Sequence, residues 1–264
     1  MLSGGRRACA VVLLVGSLGV AGCGQEDPGA AQESTSEAPT PSQTPSTYTP
    51  PELDRTELDA NLAALSQEDR SLVDHYTDGH RSGAFDEGTW IVAAPLTVAE
   101  ARERLLGPGA QPASEAELRR MRFDESAYAF LQVGDGVVAW EDTGFADPPA
   151  RVLAALSEGG GVSAVATDNV EAMTRFGYAR DGEVVFDAVE YAFVDSLDEI
   201  PPEVSDLARL AWSDPSGPMV ETAGWAAVAQ AMSEKVTGVR AAPAVRDVAD
   251  RYAVQVPWAE LEDS

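Results

Sequence analysis

Tyr128-Ala129-Phe130-Leu131-Gln132-Val133-Gly134-Asp135-Gly136-Val137-Val138-Ala139-Trp140 decides the fold class. Two runs rich in aromatic and β-branched residues flank Gly134-Asp135-Gly136, which predicts two antiparallel strands joined by a short loop. The device recurs further on. Arg175 to Ala179 and Glu183 to Val189 flank Asp181-Gly182, a pair that tolerates the positive φ of a type I′ turn. Upstream, Thr89 to Ala94 is a continuous apolar run stopped by Pro95, and Val162 to Ala166 is a similar run, so both predict buried strands. Neighbouring hairpins of this kind imply a mostly antiparallel sheet of about five or six strands.

Helical patterns surround these strands. Leu58, Leu62, Leu65, Leu72, Val73 and Tyr76 fall on helical spacings, and Ser66 followed by Glu68 and Asp69 predicts a helix start within that span. Thr97-x-x-Glu100 and Ser114-x-x-Glu117 are capping-box patterns; Gly107 closes the first helix and Met121 the second. Pro148 to Leu156 predicts a helix with Val152, Leu153 and Leu156 inward, ended by Gly159-Gly160-Gly161. Three more follow: one opened by Pro201-Pro202, one with Trp225, Val228, Ala229, Met232 and Val236 on a stripe stopped at Gly238, and one after Pro243 with Val245, Val248, Ala249 and Tyr252. The expectation is one α+β domain over 53–264, with helices packed on one side of the sheet and a helical C-terminus.

Ahead of that domain stands a different kind of sequence. Arg6 and Arg7 precede an uncharged apolar stretch from Ala8 to Val20, then small residues and Cys23. About 13 apolar residues fall short of the roughly 20 needed to span the hydrocarbon as a helix, and the arrangement is that of a signal peptide. Val20-Ala21-Gly22-Cys23 resembles the lipobox of bacterial lipoproteins at all four positions. The resemblance implies cleavage between Gly22 and Cys23, a diacylglycerol on the Cys23 thiol, and residues 1–22 as a removed leader. One acyl chain holds a protein marginally, whereas two anchor it stably. Residues 23–52 then supply Pro, Ser, Thr, Gln, Ala and Glu, too little apolar surface to offset their ordering entropy. Extended at about 3.1 Å per residue, such a linker reaches at most roughly 85 Å from the membrane.

Charge and cysteine content narrow the partners. The chain has 18 basic and 44 acidic residues and a net charge of −26, and loss of Arg6 and Arg7 with the leader makes it more negative still. Such a surface repels phosphate backbones and anionic lipid heads, so nucleic acid is not an expected partner and the membrane is held only through the lipid on Cys23. Cys9 departs with the leader and Cys23 is consumed by lipidation, which leaves no thiol for a disulfide or a Cys metal site.

A second resemblance covers about Trp90 to Val256, most of the globular part. Its motifs are Trp90 on the first strand, Leu105-Leu106-Gly107, Glu141-Asp142-Thr143-Gly144-Phe145, Leu153-Ala154-Ala155-Leu156-Ser157, Asn169-Val170-Glu171-Ala172, Phe176-Gly177-Tyr178-Ala179-Arg180-Asp181-Gly182 and Thr237-Gly238-Val239. Together they resemble an uncharacterised actinobacterial family, a domain of unknown function usually found without a leader. That family brings no assigned chemistry.

Catalytic signatures are scarce. His75 and His80 stand five residues apart, off any shared helix face; with Asp74 and Asp78 they lack the spacing of known zinc sites. Neither a Gly-x-Ser-x-Gly elbow nor a Ser-x-x-Lys occurs, and Gly159-Gly160-Gly161 precedes a strand where a phosphate cradle precedes a helix. Glu141 and Asp142, at the end of a predicted strand, are the candidates for glycosidase-type acid chemistry. The acidic residues Asp187, Glu190, Asp195, Asp198, Glu199, Glu203 and Asp206 lack the order of a Ca²⁺ loop and predict a solvated face. Trp90, Trp140, Trp212 and Trp225 lie on apolar stripes and predict core packing, with Trp258 as the exception. No catalytic residue, metal ligand or cofactor is expected. The function expected is a membrane-anchored extracytoplasmic lipoprotein that serves as a non-catalytic binding or protein-interaction module for an envelope protein. The alternatives are a cell-wall or glycan hydrolase using acidic residues and a solute-binding accessory protein.

Overall fold

At the centre of the sheet lies β1 (Gly88–Ala94). Its run has no polar alternation because both of its faces are covered: Trp90 and Val92 enter one core, Ile91 and Ala93 another. The computed structural model describes residues 53–85, 87–122, 125–169, 173–213 and 222–255, all within the compact unit Pro50–Ser264. Cys23, Gly22 and Trp258 lie outside the described residues, as do the expected leader and linker over 1–52 and Val170-Glu171-Ala172.

The remaining strands are β2 (Glu125–Val133), β3 (Gly136–Glu141), β4 (Val162–Asp168), β5 (Thr174–Arg180), β6 (Glu183–Val189) and β7 (Tyr252–Gln255). They form one sheet in the order β6-β5-β4-β1-β3-β2-β7, antiparallel at every pairing. Seven strands exceed the expected five or six. The addition is β7, which takes the place of the third C-terminal helix that the spacing predicts. Four apolar residues at i, i+3, i+4, i+7 are too few for periodicity to arbitrate. Here Val245 belongs to a 3₁₀ turn over Pro243–Asp247, while Tyr252 joins β2, with its ring edge-on to Phe130 at 5.7 Å. The C-terminal part of the described chain is therefore a turn and a strand.

Turn chemistry accounts for both hairpins. Asp181 and Gly182 have φ of 50° and 82°, the two positive values of a type I′ turn. In the β2–β3 hairpin Gly136 pairs with Val133, so the turn is Gly134-Asp135 and shorter than the expected three residues. Gly136 belongs to the strand because nothing larger fits: a Cβ there would come within 2.4 Å of Val239 Cγ2 and 2.8 Å of Ala93 O.

Seven helices lie among the described residues: α1 (Thr56–Ala64), α2 (Gln67–Arg81), α3 (Val98–Leu106), α4 (Glu115–Leu118), α5 (Ala150–Leu156), α6 (Pro202–Ala208) and α7 (Trp225–Thr237). Both expected capping boxes are present, at Thr97/Glu100 and Ser114/Glu117, and Ser66 Oγ accepts from Asp69 N at 3.0 Å. The expectation of helices on one side is corrected. α7 lies across β4, β5 and β1 and packs on α2 and α6, whereas α3 and α5 pack on the opposite face. The cause is again β1 and its neighbours: a sheet apolar on both faces needs a layer on each.

Candidate functional site

Strand parity sends two different sets of polar residues to the two faces of one sheet end. Glu141 stands opposite Thr89, Thr89 opposite Thr167, and Thr167 opposite Arg175, so these four side chains form a row across β3, β1, β4 and β5 on the α3/α5 face. Ser126 and Tyr128 of β2 join the same row. The segment from Asp142 to Pro149 folds over it on the way to α5.

Every strong polar group in that row save one is met from within. Glu141, fully buried, accepts from the hydroxyls of Ser126 and Thr143, from Thr143 N at 2.9 Å and from Gly144 N at 2.9 Å. Its carboxylate fixes the turn Glu141-Asp142-Thr143-Gly144 and presents no face to a substrate. Tyr128 donates to Ala146 O; burial first, then the Glu141 and Asp147 carboxylates, push its hydroxyl pKa well up. Arg175 bridges Asp187 through Nε at 2.7 Å and Nη2 at 3.0 Å, and reaches Pro148 O at 2.6 Å and Asp147 Oδ1 at 2.7 Å. Thr167 Oγ1 donates to the same Asp147 oxygen at 2.8 Å. Burial works against the Arg175 charge, but Asp147 and Asp187 outweigh it and hold its pKa above the ordinary value; burial raises Asp147 despite Arg175. Thr89 Oγ1 is the exception: it makes no hydrogen bond of good geometry among the described residues, although it lies near enough to the Tyr128 hydroxyl to oppose the rise in its pKa.

On the opposite face, one residue along each strand, Asp168 stands opposite Thr174 and Gly88 opposite Asp168. Ala164, Ala166, Phe176 and Tyr178, which share their parity, pack under α7. Between this sheet end, the start of α7 and the last turn of α2 is a cavity of about 390 Å³ lined by Thr77, His80, Arg81, Asp168, Thr174 and the first residues of α7. That volume falls in the range of small-molecule sites. α7 has Gly224 at its N-cap and no capping side chain. Its first amides, ahead of Val228 N, which bonds Gly224 O at 3.1 Å, have no acceptor in the helix. Thr174 is 3% exposed and its hydroxyl has no partner among the described residues. Burial, and then Glu87, raises the Asp168 carboxyl pKa.

The other residues marked in the sequence are dispersed. His80 Nε2 lies 3.2 Å from Gln230 Oε1, while His75 sits edge-on to Tyr76 and Phe85 at centroid distances of 4.8 and 5.8 Å. Asp74 and Asp78 line a separate cavity of about 190 Å³. Among the described residues no group of three or more His, Cys, Asp or Glu side chains is placed to hold a metal ion. Within the acidic connector, Asp187 is taken by Arg175, Glu199 caps the turn at Ser196, and Glu203 accepts from Tyr178 at 2.7 Å. Trp90 and Trp140 are buried neighbours, Trp212 Nε1 donates to Val194 O at 3.0 Å, and Trp225 meets Phe193 edge-on. A larger groove of about 570 Å³ runs beside α4 and β7. Two of its carboxylates, Glu117 and Glu125, already accept from Ser114 N and Arg122 N.

Asp168, Thr174 and Arg81 belong to no sequence motif. The one local signal is Gly224 ahead of a 13-residue helix where Ser, Thr or Asp is usual. Comparison with protein-family models, curated proteins and solved structures returned no match, so the functional reading rests on the sequence and the geometry.

Proposed function

We propose that this chain is a lipoprotein, cleaved between Gly22 and Cys23 and anchored through lipid on Cys23, whose domain over 53–264 binds an extracytoplasmic envelope protein and carries out no catalysis. The observation that carries the reading is the edge strand β6. Glu190 N donates to Thr174 O at 2.5 Å, and the alternation of an antiparallel ladder then turns the N–H and C=O of Asp187 and Val189 away from β5. Among the described residues no strand pairs with that side. Val184, Val185 and Val189 are 42%, 43% and 59% exposed, and neither Lys nor Pro guards the strand. Glu183 and Glu190 flank it. Its partner is an extended segment carrying Lys or Arg, added as a further strand. The buried and satisfied state of Glu141 weighs against the hydrolase alternative, which depends on that carboxylate.

In-cell crosslinking and pull-down of the intact chain tests this. One envelope protein recovered with the native chain is expected, with loss of membrane retention for Cys23→Ala. Val189→Pro removes an outward N–H without touching a bond to β5. It is expected to keep the fold and lose the partner. Full recovery of the partner by Val189→Pro sinks the edge-strand reading, and retention of Cys23→Ala in the membrane fraction at high salt sinks the anchor.

A further inference from the structure

The cavity between α2, α7 and the β4–β5 end is independent of the β6 edge, and its chemistry is two-signed. One wall is positive. The start of α7, which has no capping side chain of its own at Gly224, lines it and brings the positive end of the helix dipole to it, and Arg81 lies alongside, its Nη1 3.7 Å from Asp78 and both side chains largely exposed. The floor is negative, because Asp168 projects from the end of β4 on this face. Gly88 stands opposite Asp168 with no side chain of its own. Thr174, on the adjacent strand, brings a hydroxyl that can donate or accept and has no partner among the described residues.

A simple anion does not suit this arrangement, since Asp168 would repel it; a simple cation does not suit it, since the helix start and Arg81 would. The pairing fits a molecule with both charges close together. We propose that the cavity binds a zwitterionic ligand of the α-amino-acid type, its carboxylate on the first amides of α7 beside Arg81 and its ammonium on Asp168. The Thr174 hydroxyl serves the carboxylate, and the ligand side chain lies toward the apolar part of the wall at Trp225 and Ala226. Ordinary helix starts are satisfied by a Ser, Thr or Asp of their own chain, and buried hydroxyls find a partner. Here a helix start without a capping side chain and a buried hydroxyl without a partner among the described residues line one cavity, which is the state a ligand completes.

Binding to the full chain, purified in detergent, is measured by calorimetry with L-alanine, L-leucine and L-glutamate. N-acetyl-L-alanine lacks the ammonium, L-alanine methyl ester lacks the carboxylate, and acetate and ethylamine each carry a single charge. Saturable binding of at least one free amino acid is expected, weakened at least about tenfold in either capped form, as befits loss of one charge-assisted contact. Asp168→Asn is expected to lose discrimination against the N-acetyl form, and Thr174→Val to weaken binding with the fold intact by circular dichroism. Equal binding of acetate and the amino acids, or no saturable binding by the folded chain, overturns the proposal. The capped-ligand series uses the native chain throughout, so it decides the matter even where a variant fails to fold.

Discussion

Adjacent residues of the same two strands meet opposite fates. Thr167 and Arg175 point to the α3/α5 face, where the arginine holds two carboxylates and a carbonyl and the threonine donates to one of those carboxylates. Asp168 and Thr174, the next ladder pair, point to the α7 face, where the hydroxyl has no partner and the carboxyl pKa is raised by burial and then by Glu87. The sheet is one rigid frame, so the difference comes from what covers each face. A chain segment lies over the first and closes its hydrogen bonds, that of Thr89 excepted. A helix end without a capping side chain stands beside the second. Groups left unsatisfied cost stability, and sites that bind commonly accept that cost.

The contrast between the faces breaks first at Arg175. Replacing it with Ala strands Asp147 and Asp187 without their counter-ion and leaves Pro148 O unbonded. Removing one member of a buried ion cluster costs about 3–5 kcal/mol. Urea denaturation should show that loss at neutral pH, with the β6 end of the sheet the first to lose amide protection in hydrogen exchange. A loss below about 1 kcal/mol would mean that the cluster is no more than a surface salt bridge.

A matched pair of substitutions sharpens it. Thr167→Val and Thr174→Val make the same change in shape on paired strands. The first removes the donor to Asp147 and should destabilise by about 1 kcal/mol, the ordinary net value of a hydrogen bond. The second removes a buried hydroxyl that has no partner and should be neutral or stabilising by up to about 1 kcal/mol. Opposite signs in thermal denaturation are the expected outcome. Two losses of equal size would show that the Thr174 hydroxyl is satisfied after all and that the cavity face is as sealed as its counterpart.

How far these features are legible in the sequence follows from the range of the forces involved. The Asp181-Gly182 turn, the capping boxes at Thr97 and Ser114 and the stop at Gly238 are local chemistry, and each stands where the sequence predicts it. The unbroken apolar run of Thr89 to Ala94 carries the sign that both sheet faces are covered, since a strand with one solvated face alternates. Tyr252 reads as helical because its strand is four residues long and is defined by pairing with distant β2. The two polar sets are inseparable in the sequence. Glu141 stands out there as a carboxylate at a strand end, and only its donors show that it is sealed. Asp168, Thr174, Arg81 and Gly224 share no motif, because α2, β4, β5 and α7 bring them together only in the folded chain.

The smallest effect is the most telling about Asp168. Its pKa is raised in the folded chain, by burial and then by Glu87, so the folded state holds that proton more tightly than the unfolded state does. Stability from this group is therefore greatest below the ordinary aspartate pKa, falls as pH rises between that value and the raised folded value, and stays at its lower level above it. Asp168→Asn removes a charge that disfavours folding, so it should stabilise the ligand-free protein at neutral pH. Solvent reaches this side chain, which keeps the gain under about 1 kcal/mol. The gain should vanish at a pH below the ordinary aspartate range, where the native carboxyl is protonated in both states. Denaturation midpoints of both proteins over a pH series decide it. A variant less stable than the native chain at neutral pH would place Asp168 with the satisfied carboxylates of the other face, and a gain that shrinks with falling pH would mark it as a charge kept at the expense of stability.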